Sequence, residues 1–276
     1  MKLSLKLTIL FLICAVSFLT RAQSTKIATW NIANLGDSKD ETEIKFIVNT
    51  IKNYDIIAIQ EVSTSQAGAR AVAQIAEALN RSGGKWDYRV SDPTSGEGSE
   101  RYAYVWNCSK ARLFGKPWLE DSLSQMINRE PFLALFICKT DTFLLANLHA
   151  VPKSKNPASE ISKLYKLDHL YEKHHLIIMG DFNLPADNSA FNSLLKRNIK
   201  PALKGQKTSL KMKLNEKGEH LASEYDNILY ESDEIEIEET GVNDFSLKFS
   251  TLKEARMISD HIPVWGNFKV ICKAIK

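Results

Sequence analysis

The sequence predicts an α/β domain with a two-layer β core flanked by helices. Three observations point there. Short runs rich in Ile, Val, Phe, Tyr and Thr recur along the chain, several of them end in Asp, Asn, Glu or His, and segments with apolar residues at helical spacing separate some of them. The clearest run is Ile177-Ile178-Met179-Gly180-Asp181-Phe182-Asn183. A buried strand that ends in a polar site reads this way, and a carboxylate and an amide two residues apart at a strand end face the same side. Thr29-Trp30-Asn31, Ile59-Gln60-Glu61, Asn147-Leu148-His149 and Ser259-Asp260-His261 repeat the design. Each ends in a group able to hold a metal or move a proton.

In chain order, strands are expected at 27–31, 56–60, 102–106, 132–139, 142–148, 176–181, 227–229 and 262–270. Lys139-Thr140-Asp141-Thr142 reads as a hairpin turn. Helices are expected at 41–52, 66–80, 159–173 and 186–196, with Pro157 at a position where an early proline is tolerated. Asp233, Glu234, Glu236, Glu238 and Glu239 alternate with Ile235 and Ile237, which suits a strand edge with solvated charges better than a cation loop.

The 276 residues, 44% hydrophobic and 25% charged, suit one large domain, and no repeat or linker interrupts them. Lys2 and Lys6 precede an apolar run at 7–19, followed by Thr20-Arg21-Ala22. That is the pattern of a secretory signal peptide over 1–22, ahead of a single domain at 23–276. The run falls short of the roughly 20 residues of an ordinary membrane span; an uncleaved anchor is the alternative. Export places the protein in the periplasm or the medium.

Loss of Lys2, Lys6 and Arg21 takes the formal charge from +3 to about zero. Strong attraction to nucleic acid is therefore not built into the net charge. Lys204, Lys207, Lys211, Lys213 and Lys217 form the best local basic segment, or a solvated loop. Cys108, Cys138 and Cys272 remain after Cys14 leaves, which permits at most one internal bridge; a Cys108–Cys138 pair and three buried thiols are both open.

Taken in order, Trp30-Asn31, Gln60-Glu61, Asn147-Leu148-His149, Gly180-Asp181-Phe182-Asn183, Tyr225-Asp226-Asn227 and Ser259-Asp260-His261 resemble the endonuclease/exonuclease/phosphatase superfamily. The resemblance runs from about Lys26 to Phe268. It implies a four-layered α/β sandwich, two packed mixed β-sheets flanked by helices. His149, with Ser99-Glu100-Arg101-Tyr102 and Asn128-Arg129-Glu130-Pro131-Phe132, is similar to the deoxyribonuclease I branch, in an exported, bacterial-type member.

The resemblance implies these roles. Glu61 and Asp260 hold Mg²⁺, with Mn²⁺ or Ca²⁺ as substitutes. Asn31, Arg129 and Asn147 contact phosphate. His261 pairs with Asp226 and His149 with Glu100, as general base and acid in an order left open. Asp181 and Asn183 orient the water or the phosphate oxygens. The chemistry agrees: Mg²⁺ prefers carboxylate and water oxygens, and a histidine titrates near neutral pH, where an adjacent carboxylate fixes its tautomer and raises its basicity.

The expected function is exported, metal-dependent phosphodiester hydrolysis, on DNA or RNA, by a monomer with no stable membrane association. A sphingomyelinase-type or phosphatase-type hydrolase is the alternative, and a non-catalytic binding protein the third reading. Duplex preference is in doubt. Ser63 stands where the deoxyribonuclease I branch has an arginine that enters the minor groove, Ala33 where it has a second arginine and Gly98 where it has an aromatic residue, and minor-groove binding relies on such cations.

Overall fold

The computed structural model describes residues 24–271. The segment expected to be a signal peptide and Cys272 lie outside them. Twelve strands form two six-stranded mixed sheets among the described residues. The first has the order β11-β12-β1-β2-β4-β3, from β1 (Thr25–Leu35), β2 (Ile56–Val62), β3 (Trp86–Val90), β4 (Arg101–Asn107), β11 (Ile235–Val242) and β12 (Val264–Val270). The second has the order β5-β6-β7-β8-β10-β9, from β5 (Arg112–Leu119), β6 (Phe132–Cys138), β7 (Asp141–His149), β8 (His175–Asp181), β9 (Ile199–Pro201) and β10 (Asp226–Glu231).

Three apolar clusters define four layers. Between the sheets, Ile56 and Ala58 of β2 meet Tyr104, Phe136, Ile177 and Met179. Outside the first sheet, Ile57 and Ile59 pack on α1 (Glu41–Ile51), α2 (Gln66–Arg81) and α6 (Leu252–Ile258). Outside the second, Leu176 and Ile178 pack on α3 (Pro157–Ile161), α4 (Tyr165–Leu170) and α5 (Asn192–Leu195). Alternate residues of β2 and β8 therefore enter different cores, and such strands read as unbroken apolar runs. Asp40 and Glu43 close a reciprocal cap on α1, and Ser65 caps α2, so both begin at the expected residues.

The differences from expectation have local causes. Strands β3, β5 and β9 were not expected, and each lies at or beside a sheet edge. Asp87 and Arg89 break the apolar pattern of β3, Gly115 and Pro117 interrupt β5 at a register shift, and β9 has only three residues. Strand β11 is the charged edge read from its alternation. The single helix expected at 159–173 is two, α3 and α4. The buried Glu160 accepts from the backbone N–H of Asn128 (2.7 Å) and Val151 (2.9 Å), which fixes α3 to neighbouring loops. The helix expected at 186–196 shortens to a 3₁₀ turn and α5, because the Asn188 side chain takes the Ala190 N–H and starts the turn late. Cys138 is a free thiol in the inter-sheet core and Cys108 a half-buried free thiol packed against it, and burial pushes Cys138 up to about 12.

Strands β1 and β2 pair in parallel at the centre of the first sheet, and β7 and β8 do so in the second. In the second sheet His149 aligns with Asp181, and Asp181 with Asp226 of antiparallel β10. The polar ends of the apolar runs thereby collect at one edge of the sandwich.

Candidate active site

Asp181 is the focus. Its Oδ2 lies 3.4 Å from Nε2 of His149 and 3.6 Å from Nε2 of His261. It also accepts from Asn31 Nδ2 at 3.1 Å, while Oδ1 accepts the Asn183 N–H at 2.9 Å. Gly180 makes the approach possible. At φ +143°, a Cβ there would stand 1.8 Å from the Leu148 carbonyl oxygen on β7. Asn183 takes a left-handed backbone at φ +52° and donates to the Ala150 carbonyl at 3.0 Å.

His261 is backed by Asp226, whose Oδ2 accepts from Nδ1 at 2.8 Å. Thr208 Oγ1 accepts the Asp226 and Tyr225 N–H groups, so its own proton points to Asp226 Oδ2 at 2.6 Å. That oxygen is thereby an acceptor, and the proton shared with His261 belongs on the ring. Burial alone would lower His261, but Asp226 and Asp181 push it up to about 10. The backbone of this segment is tied to β1. Ser259 Oγ donates to the Asn31 carbonyl at 2.6 Å and accepts the His261 N–H, and Trp30 Nε1 donates to the His261 carbonyl at 2.8 Å.

His149 is backed by Glu100, with Nδ1 donating at 2.9 Å to Oε2. Arg129 shares that carboxylate. Its Nη1 donates to Glu100 Oε2 at 2.8 Å and stands 3.3 Å from His149 Nδ1. Burial depresses His149, Glu100 and Asp181 override it upward, and Arg129 opposes them; the net shift is up. Burial raises Asp181, but the two histidines outweigh it and hold the carboxylate below its ordinary range.

Glu61, next to last in β2, takes a left-handed backbone at φ +60°. Asn31 Nδ2 donates to its Oε1 at 3.0 Å, and the Asn34 N–H to its Oε2 at 3.0 Å. Asn31 Oδ1 is buried with no partner. Carboxylate and amide oxygens are the donors a hard cation takes, so this corner fits Mg²⁺. Asp260 pairs with Arg256 at 3.1 Å. Its field and those of Glu43 and Glu61 oppose the burial that lowers Lys39. A second group, Asp181, Asp226 and His261, has ligand atoms within 4.8 Å of one another and could also hold a metal ion.

The structure thus gathers Asn31, Glu61, Glu100, Arg129, His149, Asp181, Asn183, Asp226 and His261 into one hydrogen-bonded system. Asn147 departs from its expected place at the phosphate. It is fully buried, accepts from Gln60 Nε2 at 2.6 Å, and donates to the carbonyls of Ile59 (3.0 Å) and Ala103 (3.3 Å). It stands two residues, roughly 7 Å, deeper along β7 than His149, and it ties the two sheets together. Arg129 likewise spends Nη1 and Nη2 inward, leaving only a buried Nε unpartnered. Thr208 was missed, because nothing in its lysine-rich surroundings marks it.

The four-layered sandwich thus carries two histidine–carboxylate pairs around one aspartate. The model of the endonuclease/exonuclease/phosphatase family matches residues 28–261, and the chain belongs to that family. Deoxyribonuclease-1 of Bos taurus is 31% identical over 188 residues, 62% of this chain and 65% of that protein, so the match spans less than two thirds of that relative's length. Among solved structures, an endonuclease/exonuclease/phosphatase family protein from Bacteroides thetaiotaomicron superposes with a TM-score of 0.64 at 15% identity, over 91% of this chain and 98% of that one. D. rerio TDP2 complexed with a single strand DNA product gives 0.61 at 15% identity, over 89% and 99%. These two likenesses concern the fold.

Proposed function

We propose that the protein is an exported, Mg²⁺-dependent phosphodiesterase that cuts nucleic acid by in-line attack of water. The observation that carries this reading is the shared Asp181 oxygen facing both Nε2 atoms. Both rings are pushed toward the protonated form and Asp181 toward the ionised one. Asp181 is therefore the group free to take the proton of the attacking water. Protonated His149 and His261 offset charge on the phosphate, and one of them supplies a proton to the leaving oxygen. Glu61 and Asn31 would hold the cation, with Asp260 nearby; when bound it supplies Lewis-acid stabilisation of the phosphoryl oxygens.

A cavity of about 440 Å³ beside Glu61 favours a second reading. Asp37, Ser38, Ser63, Thr64 and Ser99 are among its lining residues, and no lysine or arginine lines it. Such a wall suits a small or single-stranded phosphoester better than a duplex. The test is a substrate panel with Mg²⁺ and with EDTA, on the chain beginning at Gln23. The panel holds duplex DNA, single-stranded DNA, RNA, sphingomyelin and a generic phosphodiester. EDTA-sensitive cutting of DNA or RNA supports the nuclease reading. Turnover of lipid or small phosphoester alone transfers the same residues to the other substrate.

A further inference from the structure

Loop 208–223 leaves the candidate active site at Ser209, the bridge partner of His261, and buries Leu210 in the outer core of the first sheet. It then turns outward and exposes Met212 (74%) and Leu214 (59%). A second loop brings Leu247, 73% exposed, to the same groove of about 600 Å³, which Phe249 and Leu252 also line. His220 Nε2 meets Asp244 Oδ2 at 2.5 Å and clips the two loops together, so the groove is preformed. Three large aliphatic side chains left in water around one groove call for a partner, since exposed apolar patches of this kind mark interaction sites.

Charge identifies the partner's chemistry. Lys213 and Lys253 line the groove, and neither makes an ion pair among the described residues. Lys217 and Lys248 are exposed on the same two loops. Of the nearby acids, Asp244 meets His220, Glu219 is engaged by Lys207 and Lys211, Glu254 caps α6, and Glu216, exposed at the loop tip, makes no ion pair among the described residues. Flexible aliphatic side chains rimmed by unpaired lysines suit an acyl–headgroup boundary bearing negative charge. Nucleic-acid bases would call for exposed aromatic platforms, and of the rings lining this groove Phe249 packs tilted on Phe46 and edge-on to Phe245, while His220 is held by Asp244.

We propose that loop 208–223 and segment 244–253, a 3₁₀ turn running into the start of α6, form a peripheral docking surface for anionic lipid bilayers. No helix among the described residues is long and apolar enough to cross a membrane, so the association is interfacial and reversible. The proposal does not depend on which phosphoester the site cleaves.

The test is co-sedimentation with phosphatidylcholine vesicles with and without phosphatidylglycerol. The chain beginning at Gln23 is used: it contains all three described cores, whereas the apolar run at 7–19 would bind vesicles by itself. Binding is expected on phosphatidylglycerol vesicles at low salt, weakening as salt rises. The Met212→Ser/Leu214→Ser/Leu247→Ser variant and the Lys213→Glu/Lys253→Glu variant should each lose roughly tenfold or more in partitioning, with melting temperature and hydrolytic activity unchanged. No binding of the unaltered chain overturns the proposal, as does binding that both variants retain. Concentration-dependent self-association, or oligonucleotide binding, abolished by these substitutions while vesicles stay unbound would also overturn it and assign the groove to that partner.

Discussion

Both His149 and His261 turn Nε2 toward Asp181 and Nδ1 toward a carboxylate of their own, but only the carboxylate behind His149 is shared with a guanidinium. Behind His261 stands Asp226, held by a neutral hydroxyl from Thr208. The difference is one of local charge. At His149 the positive charge of Arg129 opposes the pull of Glu100 and Asp181, whereas at His261 the charges of Asp226, Asp181 and Asp260 all act in the same direction. Two imidazoles with the same geometry, both pushed up, thus sit in different local charge, and the arginine is the control.

Asp181→Asn makes the deepest cut, because it removes the charge that both rings share while keeping the shape. Activity in the Mg²⁺ assay should fall about a hundredfold or more. Nitrogen-15 NMR titration should show both imidazoles becoming less basic together. A shift in one ring alone would break the pairing of the two centres through Asp181.

Asp226→Asn isolates the His261 side. The ring's folded value near 10 lies above its unfolded value of about 6.5. Its contribution to stability is therefore complete below about pH 6.5 and lost as pH rises through about 10. The melting temperature of the unaltered protein should fall across that window, and that of Asp226→Asn should fall less. Equal slopes would show that Asp226 does not hold the proton on His261.

Arg129→Met isolates the other side. With the guanidinium gone, Glu100 acts on His149 alone, and the ring should become more basic by NMR titration. We expect about a tenfold loss of activity, since the buried guanidinium also anchors the Ala150 carbonyl. A less basic His149 in this variant would contradict the sharing argument.

The sequence made the centres of the sheets legible and left their edges obscure. Strands β2 and β8 are buried on both faces, so their apolar runs stop visibly at Glu61 and Asp181. Strands β3, β5 and β9 lack that double burial and carry charges, glycine or proline. Side chains at strand ends, such as His149 and Asp181, could be read as a site from position alone. Thr208 could not. It reaches Asp226 from 18 residues away and stands beside His261 only through a bridge made by a loop.

Asn147 shows the same limit from the other direction. It and Asn183 look equivalent in sequence, each an amide beside a strand end, yet Asn183 lies past the end of β8 and Asn147 lies inside β7. Asn147→Leu should therefore leave kcat/KM within about twofold while lowering stability. Removing the amide takes one of the two acceptors of Gln60 Nε2, which keeps Thr29 Oγ1, and the side-chain donor to the carbonyls of Ile59 and Ala103, and each buried group left without a partner costs about 1–3 kcal/mol. A net loss of about 3 kcal/mol corresponds to a fall of roughly 6–12 °C in melting temperature for a chain of this size. If activity fell a hundredfold with little change in melting temperature, Asn147 would belong with the phosphate after all, and the sheets would be held together without it.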